Sequence, residues 1–533
     1  MSVDTKSPPD LQTARAPLGV EPSASIGAES PGTSNELQAT AAASTTTWRD
    51  SLFAPVDIAS LVFFRLLFGA MMLYHVIATV KSGWIDALYI TPVMHFTYPG
   101  FGWVHPWPGM GMYWHFYVLG IAAAGIALGA CYRLSAFVFA IGMTHVFLLE
   151  KAFYLNHYYL IVLLSWLLVV LPAHRALSID AWLRPSLRSQ VVPAWTLWLL
   201  RMQIGIPYFY GGLAKIDRDW LLGYPLGMWL KRRADLPVIG PLLTQEWAGI
   251  AFASGGMLLD LMVVPLLLWK RTRGFAYLLA IVFHGLNSVL FDIGIFPWLM
   301  IGATLMFFPP DWPRRLLRRP TLPKQLFSTA LTSPALRQVT TCFLMVYVSW
   351  QLLLPFRHLL YPLPAIWSEE GHHFAWHMML REKDVGLRFY VRNPQTGTGG
   401  VVDVRSFLTS RQMSRMSKDS DMILTFVHFL RDHFRAHGEG VLQIRVLAMV
   451  SLNGRRPQLM MDPDIDYAQV ERSWFHQPWI LPLHEPLRRD PWVVPLTEWE
   501  EHVAVPTPDE MIQAAPKSLT KQRAQRGTGI SEF

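Results

Sequence analysis

Long apolar runs alternate with short polar or proline-rich stretches along most of this chain of 533 residues. Most runs are roughly 17 to 23 residues long, enough for an α-helix to cross a bilayer core of about 30 Å. They begin near Ile58, Gly111, Leu134, Tyr158, Ala194, Trp247, Gly274, Ile295 and Val339. The pattern therefore predicts an α-helical polytopic membrane protein with about nine spans, forming a transmembrane domain over residues 55–360.

The pattern changes between residues 365 and 485. FAWHMML, GLRFYVRN and VLQIRVLAMVSLNGRRPQLMM read as short strands, with Asn453-Gly454 as a hairpin turn. KDSDMILTFVHFLRDHF, near 418–434, has the spacing of an amphipathic helix. We therefore predict a small C-terminal α+β domain at 365–485. The composition of residues 1–50 predicts a disordered tail, and residues 505–533 are predicted to be a flexible tail.

Composition and charge support the membrane assignment and suggest an orientation. Charged residues make up only 16% of the chain, against about 25% in soluble proteins. If the N-terminus is cytoplasmic, the inner loops hold twelve Lys and Arg and the outer loops seven, as the positive-inside rule requires. An odd number of spans then makes the α+β domain extracytoplasmic, outside a bacterial inner membrane or in the ER lumen of a eukaryote. This distribution explains the net charge of +8 without a nucleic-acid partner.

Polar residues inside apolar runs are the candidates for a functional site, because each is costly unless paired or used. His157 with Asn156, Lys215, and His284 with Asn287 fall at one depth on the outer side in the predicted topology. Each has a simpler explanation, since lysines snorkel at span ends and histidines hydrogen-bond neighbouring helices. Their coincidence at one depth favours a pocket.

Other polar residues are less informative. Arg65 in the first span needs a partner or a polar cavity, and its role is open between structure and function. His373 and His377 are four residues apart, a spacing that suits metal ligands on a helix, but the predicted strand there argues against it. Cys131 and Cys342 form no metal-binding cluster, and we expect no metal.

Several longer segments carry a family resemblance. They include FRLLFGAMMLYHV, LGACYRLSAFVF, YLNHYYL, YFYGGLAKIDRDWLLGYP, FHGLNSVLFDIGIFPW and FFPPDW, followed by SRMSKDSDMI, DPDIDYAQV and SWFHQPWILPL. Over roughly residues 55–483 the chain resembles the vitamin K-dependent γ-glutamyl carboxylase family, whose membrane part is also called the horizontally transferred transmembrane (HTTM) domain. The short C-terminus suggests a microbial member.

The resemblance implies an integral membrane enzyme that couples two reactions. Reduced vitamin K, as phylloquinol or menaquinol, is epoxidised with O2, and a peptide glutamate is carboxylated with CO2. Lys215 corresponds to the family's base, and His157 and His284 to its conserved-motif histidines; a desolvated pocket favours the neutral amine that a base needs. Asn156, Asn287, Gly211 and Gly212 would contact the cofactor, the glycines by letting a flat ring approach the backbone. The expected partners are the bilayer and a glutamate-containing protein or peptide.

Two other functions remain open at this point. A non-catalytic maturation or binding protein could keep the same membrane scaffold, and a quinol epoxidase could lack carboxylation. A scaffold does not need Lys215 together with both histidines, so their joint presence favours chemistry. A transporter would show broken helices in two corresponding halves, and the sequence shows no such symmetry.

Overall fold

Each predicted span coincides with a helix in the described part of the chain, residues 48–327 and 332–514 of a computed structural model. These helices are α1 (Ala59–Lys81), α2 (Gly111–Leu128), α3 (Tyr132–Leu149), α4 (Asn156–Val170), α5 (Trp195–Ala214), α6 (Glu246–Leu268), α7 (Arg273–Leu290), α8 (Phe296–Thr304) and α9 (Pro334–Leu353). Among the described residues, six are long and apolar enough to cross a membrane, namely α1, α2, α3, α6, α7 and α9 with its extension to Leu360. The other three are the short α4 and α8, and α5, which contains Arg201 and Gln203.

Neighbouring membrane helices pack pairwise, α1 on α2, α2 on α3, α3 on α4, α5 on α6, and α6 on α7. Their buried faces form one apolar core that includes Phe64, Phe68, Leu160, Leu164 and Ile204. Burial of large aliphatic and aromatic side chains on several faces is expected for helices inside a bundle.

Arg65 has a structural role in this core. Its side chain is fully buried and donates hydrogen bonds to the carbonyl oxygens of Ala173 (3.2 Å) and Leu177 (2.5 Å) in the loop after α4. Gly129, which ends α2 with φ of 65°, lies so close that a Cβ there would be 2.6 Å from Arg65 Nη1. Arg65 thus satisfies buried carbonyls of the loop after α4, and these contacts favour a structural role for it.

The C-terminal region is the predicted α+β domain. Its antiparallel sheet contains β3 (Lys383–Arg392), β4 (Gly399–Val401), β5 (Gln443–Leu452) and β6 (Gln458–Leu459) in the order β4-β3-β5-β6. A separate antiparallel pair, β1 (Pro55–Asp57) with β2 (Val191–Pro193), lies beside the membrane helices. The hairpin turn at Asn453-Gly454 is confirmed, with positive φ at both residues.

This domain also contains two helices between β4 and β5, α10 (Ser410–Met416) and α11 (Ser420–Ala436). The amphipathic pattern predicted α11, and its apolar face is buried through Ile423, Phe426, Val427 and Leu430. These side chains share a core with Ile444 of β5. A helix with one apolar stripe gains its stability from such packing on a sheet.

The loop between α5 and α6 holds the C-terminal domain against the membrane helices. It contains the short helices Arg218–Leu221, Leu226–Lys231 and Gly240–Leu243. Asp219 accepts hydrogen bonds from both guanidinium ends of Arg455 (2.6 and 2.7 Å) and from Asn453 Nδ2 (2.9 Å). All three side chains are buried, so the carboxylate is fully satisfied. The described residues from Ser51 onward form one compact unit.

Two local predictions are wrong. FAWHMML is not a strand, because residues 370–376 form turns and Phe374, Trp376 and Met379 have positive φ (66°, 59° and 59°). Part of the predicted C-terminal tail is folded: Pro508–Gln513 is a helix, and its Met511 is fully buried beside Tyr390 and Leu447. The rest of that tail, residues 515–533, and the predicted tail up to residue 47 lie outside the described residues.

Candidate functional site

A cavity of about 1210 Å³ lies where the membrane helices meet the C-terminal domain. Lys215, His157, His284, Asn156 and Asn287 all line it. Five of the seven site residues predicted from the sequence therefore line the same cavity. Residues of the 372–379 loop and of the segment 411–419 line it as well. The size suits a ligand larger than a typical drug, for which pockets are about 300–1000 Å³.

Lys215 forms a buried ion pair. It caps the C-terminus of α5, and its ammonium contacts the Asp260 carboxylate of α6. The two side chains are only 8% and 4% exposed. The Lys215 Nζ also lies 5.4 Å from the ring centroid of Trp220, in cation–π range. One cation and one acid thus face each other at the cavity wall.

Asp260 was missed by the sequence reasoning. It lies within the apolar stretch GGMLLDLMVV, where a carboxylate needs a partner as much as a lysine does. That signal was present in the sequence, but the choice of Lys215 as partner depends on how α5 packs on α6.

Gly211 and Gly212 do not line the cavity. A Cβ at Gly211 would lie 2.7 Å from Met378 Cε, and a Cβ at Gly212 would lie 2.8 to 2.9 Å from the side chain and backbone of Leu261. The space beside both glycines is filled by protein. Their small size permits close packing of α5 against α6 and the 372–379 loop, which corrects the expectation that a quinone ring approaches the backbone there.

His284 is held by a neighbouring tyrosine. Its Nε2 lies 2.7 Å from the hydroxyl of Tyr208, a second residue that the sequence reasoning missed. That hydroxyl is 3.3 Å from Thr304 Oγ1, whose own hydrogen is donated to the Met300 carbonyl (2.7 Å). The shorter contact favours donation from Tyr208 to Nε2, which places the proton of a neutral imidazole on Nδ1.

The other ring nitrogen of His284, Nδ1, is buried and has no hydrogen-bond partner among the described residues. The Nδ1 atoms of His372 and His377, which also line the cavity, share this property. Each is a candidate contact for a ligand that enters the cavity.

His157 and Asn156 act differently. The His157 ring stacks on Phe296, with centroids 5.6 Å apart and planes at 24°. Asn156 donates from Nδ2 to the His377 carbonyl (3.1 Å) and accepts from the Tyr154 hydroxyl (3.0 Å). Tyr154 in turn accepts from the Phe374 amide (2.8 Å). Asn156 therefore holds the 372–379 loop in place.

Three largely buried histidines of that loop lie together, and His358 is close to them. The ring centroid of His377 lies 4.6 Å from that of His358 and 5.4 Å from that of His372. Burial lowers the pKa of His373 and of His377 to about 3, so both are neutral at physiological pH. Within the described ranges, no group of three or more His, Cys, Asp or Glu has the arrangement of a metal site.

A second buried lysine lies near the cavity. Lys151 Nζ is 2.9 Å from Asp419 and 2.8 Å from Asp421, and Asp421 also binds Arg472 at 2.8 Å. Burial opposes the charge on Lys151, but the two carboxylates together raise its pKa. Beside it, burial raises the pKa of Glu150 to about 8, against the effect of its hydrogen bonds.

Comparison with known families identifies both regions. Residues 53–312 match the HTTM domain, and residues 336–486 match the lumenal domain of vitamin K-dependent gamma-carboxylase. No solved structure matches the chain. The fold is a helical membrane region followed by a C-terminal α+β domain. The chain is thus a multi-pass membrane protein that belongs to the vitamin K-dependent gamma-carboxylase family.

Proposed function

We propose that this protein is a membrane-embedded γ-glutamyl carboxylase that couples epoxidation of a reduced vitamin K-type quinone by O2 to carboxylation of peptide glutamate with CO2. Family membership supports the reaction class. The observation that carries the proposal for this chain is the buried Lys215–Asp260 pair on the same cavity wall as the unpartnered Nδ1 of His284.

The cavity residues fit a quinol. Apolar side chains of α6, α7 and α8, including Leu259, Phe283 and Phe296, supply a wall for a flat ring and an isoprenoid tail. His284 Nδ1–H is placed to donate to a quinol oxygen. When bound, the quinol supplies the electrons for oxygen reduction and, after oxygenation, the strong base that removes the glutamate γ-proton.

Lys215 is the proposed acceptor of the first proton. Only a neutral amine can accept a proton, so this role requires the Lys215 side chain to be neutral when the quinol reacts. After transfer, the Asp260 carboxylate stabilises the new ammonium and holds the amine in position, as an acid orients the base in a catalytic triad. His284 donates a hydrogen bond to the quinol oxygen on which negative charge develops. His157 and Asn287 form the sides of the site for the quinol ring.

We also propose that the N-terminus is cytoplasmic and that the α+β domain is extracytoplasmic, so that the protein substrate arrives from that side. Gln395 lies in an exposed loop of the domain. Gln395→Cys in a Cys131→Ser, Cys342→Ser background is expected to react with an impermeant thiol reagent on intact cells. The control is a separate variant with only Cys342→Ser, which keeps Cys131, a residue that is exposed and predicted to be cytoplasmic. Labelling of Gln395→Cys only after lysis would contradict the proposed orientation and place the α+β domain in the cytoplasm.

The central experiment uses purified protein in nanodiscs with quinol, O2, labelled bicarbonate and a glutamate peptide. Quinone epoxide and peptide-bound label are measured separately. Lys215→Ala is expected to lower epoxide formation by roughly 10²–10⁴-fold, the usual contribution of a general base. Lys231→Ala, an exposed lysine of the same loop, is the matched control and retains activity.

The outcomes separate the three readings. Lysine-dependent formation of both products supports a carboxylase. Epoxide without label identifies a quinol epoxidase without carboxylation. If the wild type forms neither product, the non-catalytic membrane scaffold replaces the proposal.

A further inference from the structure

The wall of the cavity formed by the C-terminal domain carries three cations without acidic partners. Arg411 and Arg415 of α10 and Lys418, just beyond it, all line the cavity. None of them has a carboxylate within ion-pair distance among residues 48–327 and 332–514. Other cations nearby are paired, Lys151 with Asp419 and Arg381 with Glu369 (2.5 Å).

We propose that Arg411, Arg415 and Lys418 form a carboxylate-binding subsite that receives the side chain of the peptide glutamate. The positions of these three side chains indicate an anion-binding subsite, and the assignment of glutamate as its ligand rests on the proposed function.

The local sequence fixes the direction of this cationic face. Thr409 and Gln412 form a capping box at the start of α10. Gln412 is fully buried and donates from Nε2 to the Met94 carbonyl and to Glu150, each at 2.9 Å. Arg411 and Arg415 are one turn apart, and therefore share a helix face.

Like charges one turn apart oppose each other on a helix, and no carboxylate among the described residues is within ion-pair distance to offset this. Burial lowers the pKa of Arg415, and the neighbouring Arg381 and Arg411 lower it further, while Glu369 acts in the other direction. Burial and Arg415 likewise lower the pKa of Lys418, although Asp384 and Glu382 act in the other direction. The face has a net positive field that an incoming anion would relieve.

Arg411 is pre-positioned for such an anion. Its guanidinium lies 5.3 Å from the ring centroid of Trp84 and 5.5 Å from that of Phe153, both on the membrane-helix side. Aromatic contacts of this kind fix the guanidinium plane. The N–H groups have no protein acceptor among the described residues and suit bidentate binding of a carboxylate.

The chemistry of the reaction favours a glutamate side chain over a lipid phosphate. Loss of a γ-proton leaves an electron pair on a carbon beside a carboxylate, so two negative charges must be stabilised together. Cations on the wall of the cavity that also holds Lys215 supply this stabilisation. They also offset the desolvation of the entering carboxylate.

The binding test uses the full chain in neutral-lipid nanodiscs and a fluorescein-labelled glutamate peptide, with the same peptide carrying glutamine as control. The wild type is expected to bind the glutamate peptide more tightly. Arg415→Gln and Lys418→Gln are each expected to weaken it about tenfold, or about 1.4 kcal/mol. Both should leave glutamine-peptide binding unchanged. Arg415→Lys should recover part of the loss, and Arg435→Gln, an exposed cation of α11, should have no effect.

The kinetic test separates binding from chemistry. In Arg415→Gln and Lys418→Gln, the KM for peptide should rise about tenfold, while saturating peptide restores most of the epoxide formation. Equal binding of glutamate and glutamine peptides, or an unchanged KM in both variants, overturns the subsite. Variants that change affinity only for nanodiscs with anionic phosphatidylglycerol would assign the cations to a lipid headgroup instead. Because the peptide-binding test needs no turnover, it remains decisive even if the wild type makes no epoxide.

Discussion

Two of the buried lysines, Lys151 and Lys215, differ in the acids that face them. Lys151 pairs with Asp419 and Asp421, and Asp421 also pairs with Arg472. Lys215 pairs with Asp260 alone, and both lysines line the cavity. Asp419 and Asp421 belong to the C-terminal domain, so Lys151 joins that domain to the membrane helices. Lys215 and Asp260 both belong to the membrane region. The location of the acids, in another domain or in the same one, distinguishes the structural lysine from the candidate base.

The largest effect is expected on the structural side of this comparison. Lys151→Ala leaves the buried Asp419 without its cation, while Asp421 keeps Arg472, and loss of one partner of a buried pair costs about 3–5 kcal/mol. The unfolding temperature measured in detergent should fall well below that of the wild type. Lys231→Ala, on the exposed loop, should change stability by less than about 0.5 kcal/mol. An unfolding temperature equal to the wild type for Lys151→Ala would remove the distinction between the two lysines.

A second variant tests the role of Asp260 beside the candidate base Lys215. Asp260→Asn keeps the shape of the acid but removes the charge that stabilises the ammonium of Lys215. Epoxide formation by the variant should fall by roughly 10–100-fold, because the ammonium formed after proton transfer loses its counter-charge. A rate equal to that of the wild type would show that Asp260 takes no part.

Per pH unit, the smallest effect is expected from a third buried ionisable group. Glu150 follows α3 and has no cation in ion-pair contact among the described residues; burial raises its pKa from the ordinary 4.5 to about 8. The folded state therefore keeps a proton that the unfolded state has lost, and stability should decrease as pH rises from 4.5 to about 8, with a slope approaching ~1.4 kcal/mol per pH unit. Denaturant unfolding across this range should show the decrease, and Glu150→Gln should flatten it. A wild-type curve as flat as that of the variant would contradict the assignment.

The sequence predicted features that depend on local pattern. The apolar runs predicted α1 to α9 because span length and hydropathy are properties of a single segment. The spacing of KDSDMILTFVHFLRDHF predicted α11 for the same reason. The grouping of His157, Lys215 and His284 followed from alternation of the chain across the membrane, which needs only the number of spans.

What the sequence reasoning missed depends on contacts between segments. Asp260 and Tyr208 matter because α6 and α5 bring them to Lys215 and His284, which no single run reveals. FAWHMML alternates like a strand, but its backbone is set by Asn156 and Tyr154 of another segment. Contacts from the surroundings can hold residues such as Phe374 at a positive φ that a free strand would not adopt.

The cavity wall has a consequence for synthesis of the protein. Lys215 and His284 are made early in the chain, whereas the 372–379 loop and the cationic face of α10 are made afterwards. A nascent chain that has inserted its first eight helices therefore holds only part of the cavity wall. The wall is complete only when the C-terminal domain has folded and Asp219 has received Arg455. Completion of the cavity is thus a late step in synthesis, and it depends on folding of the domain that is made after the membrane helices.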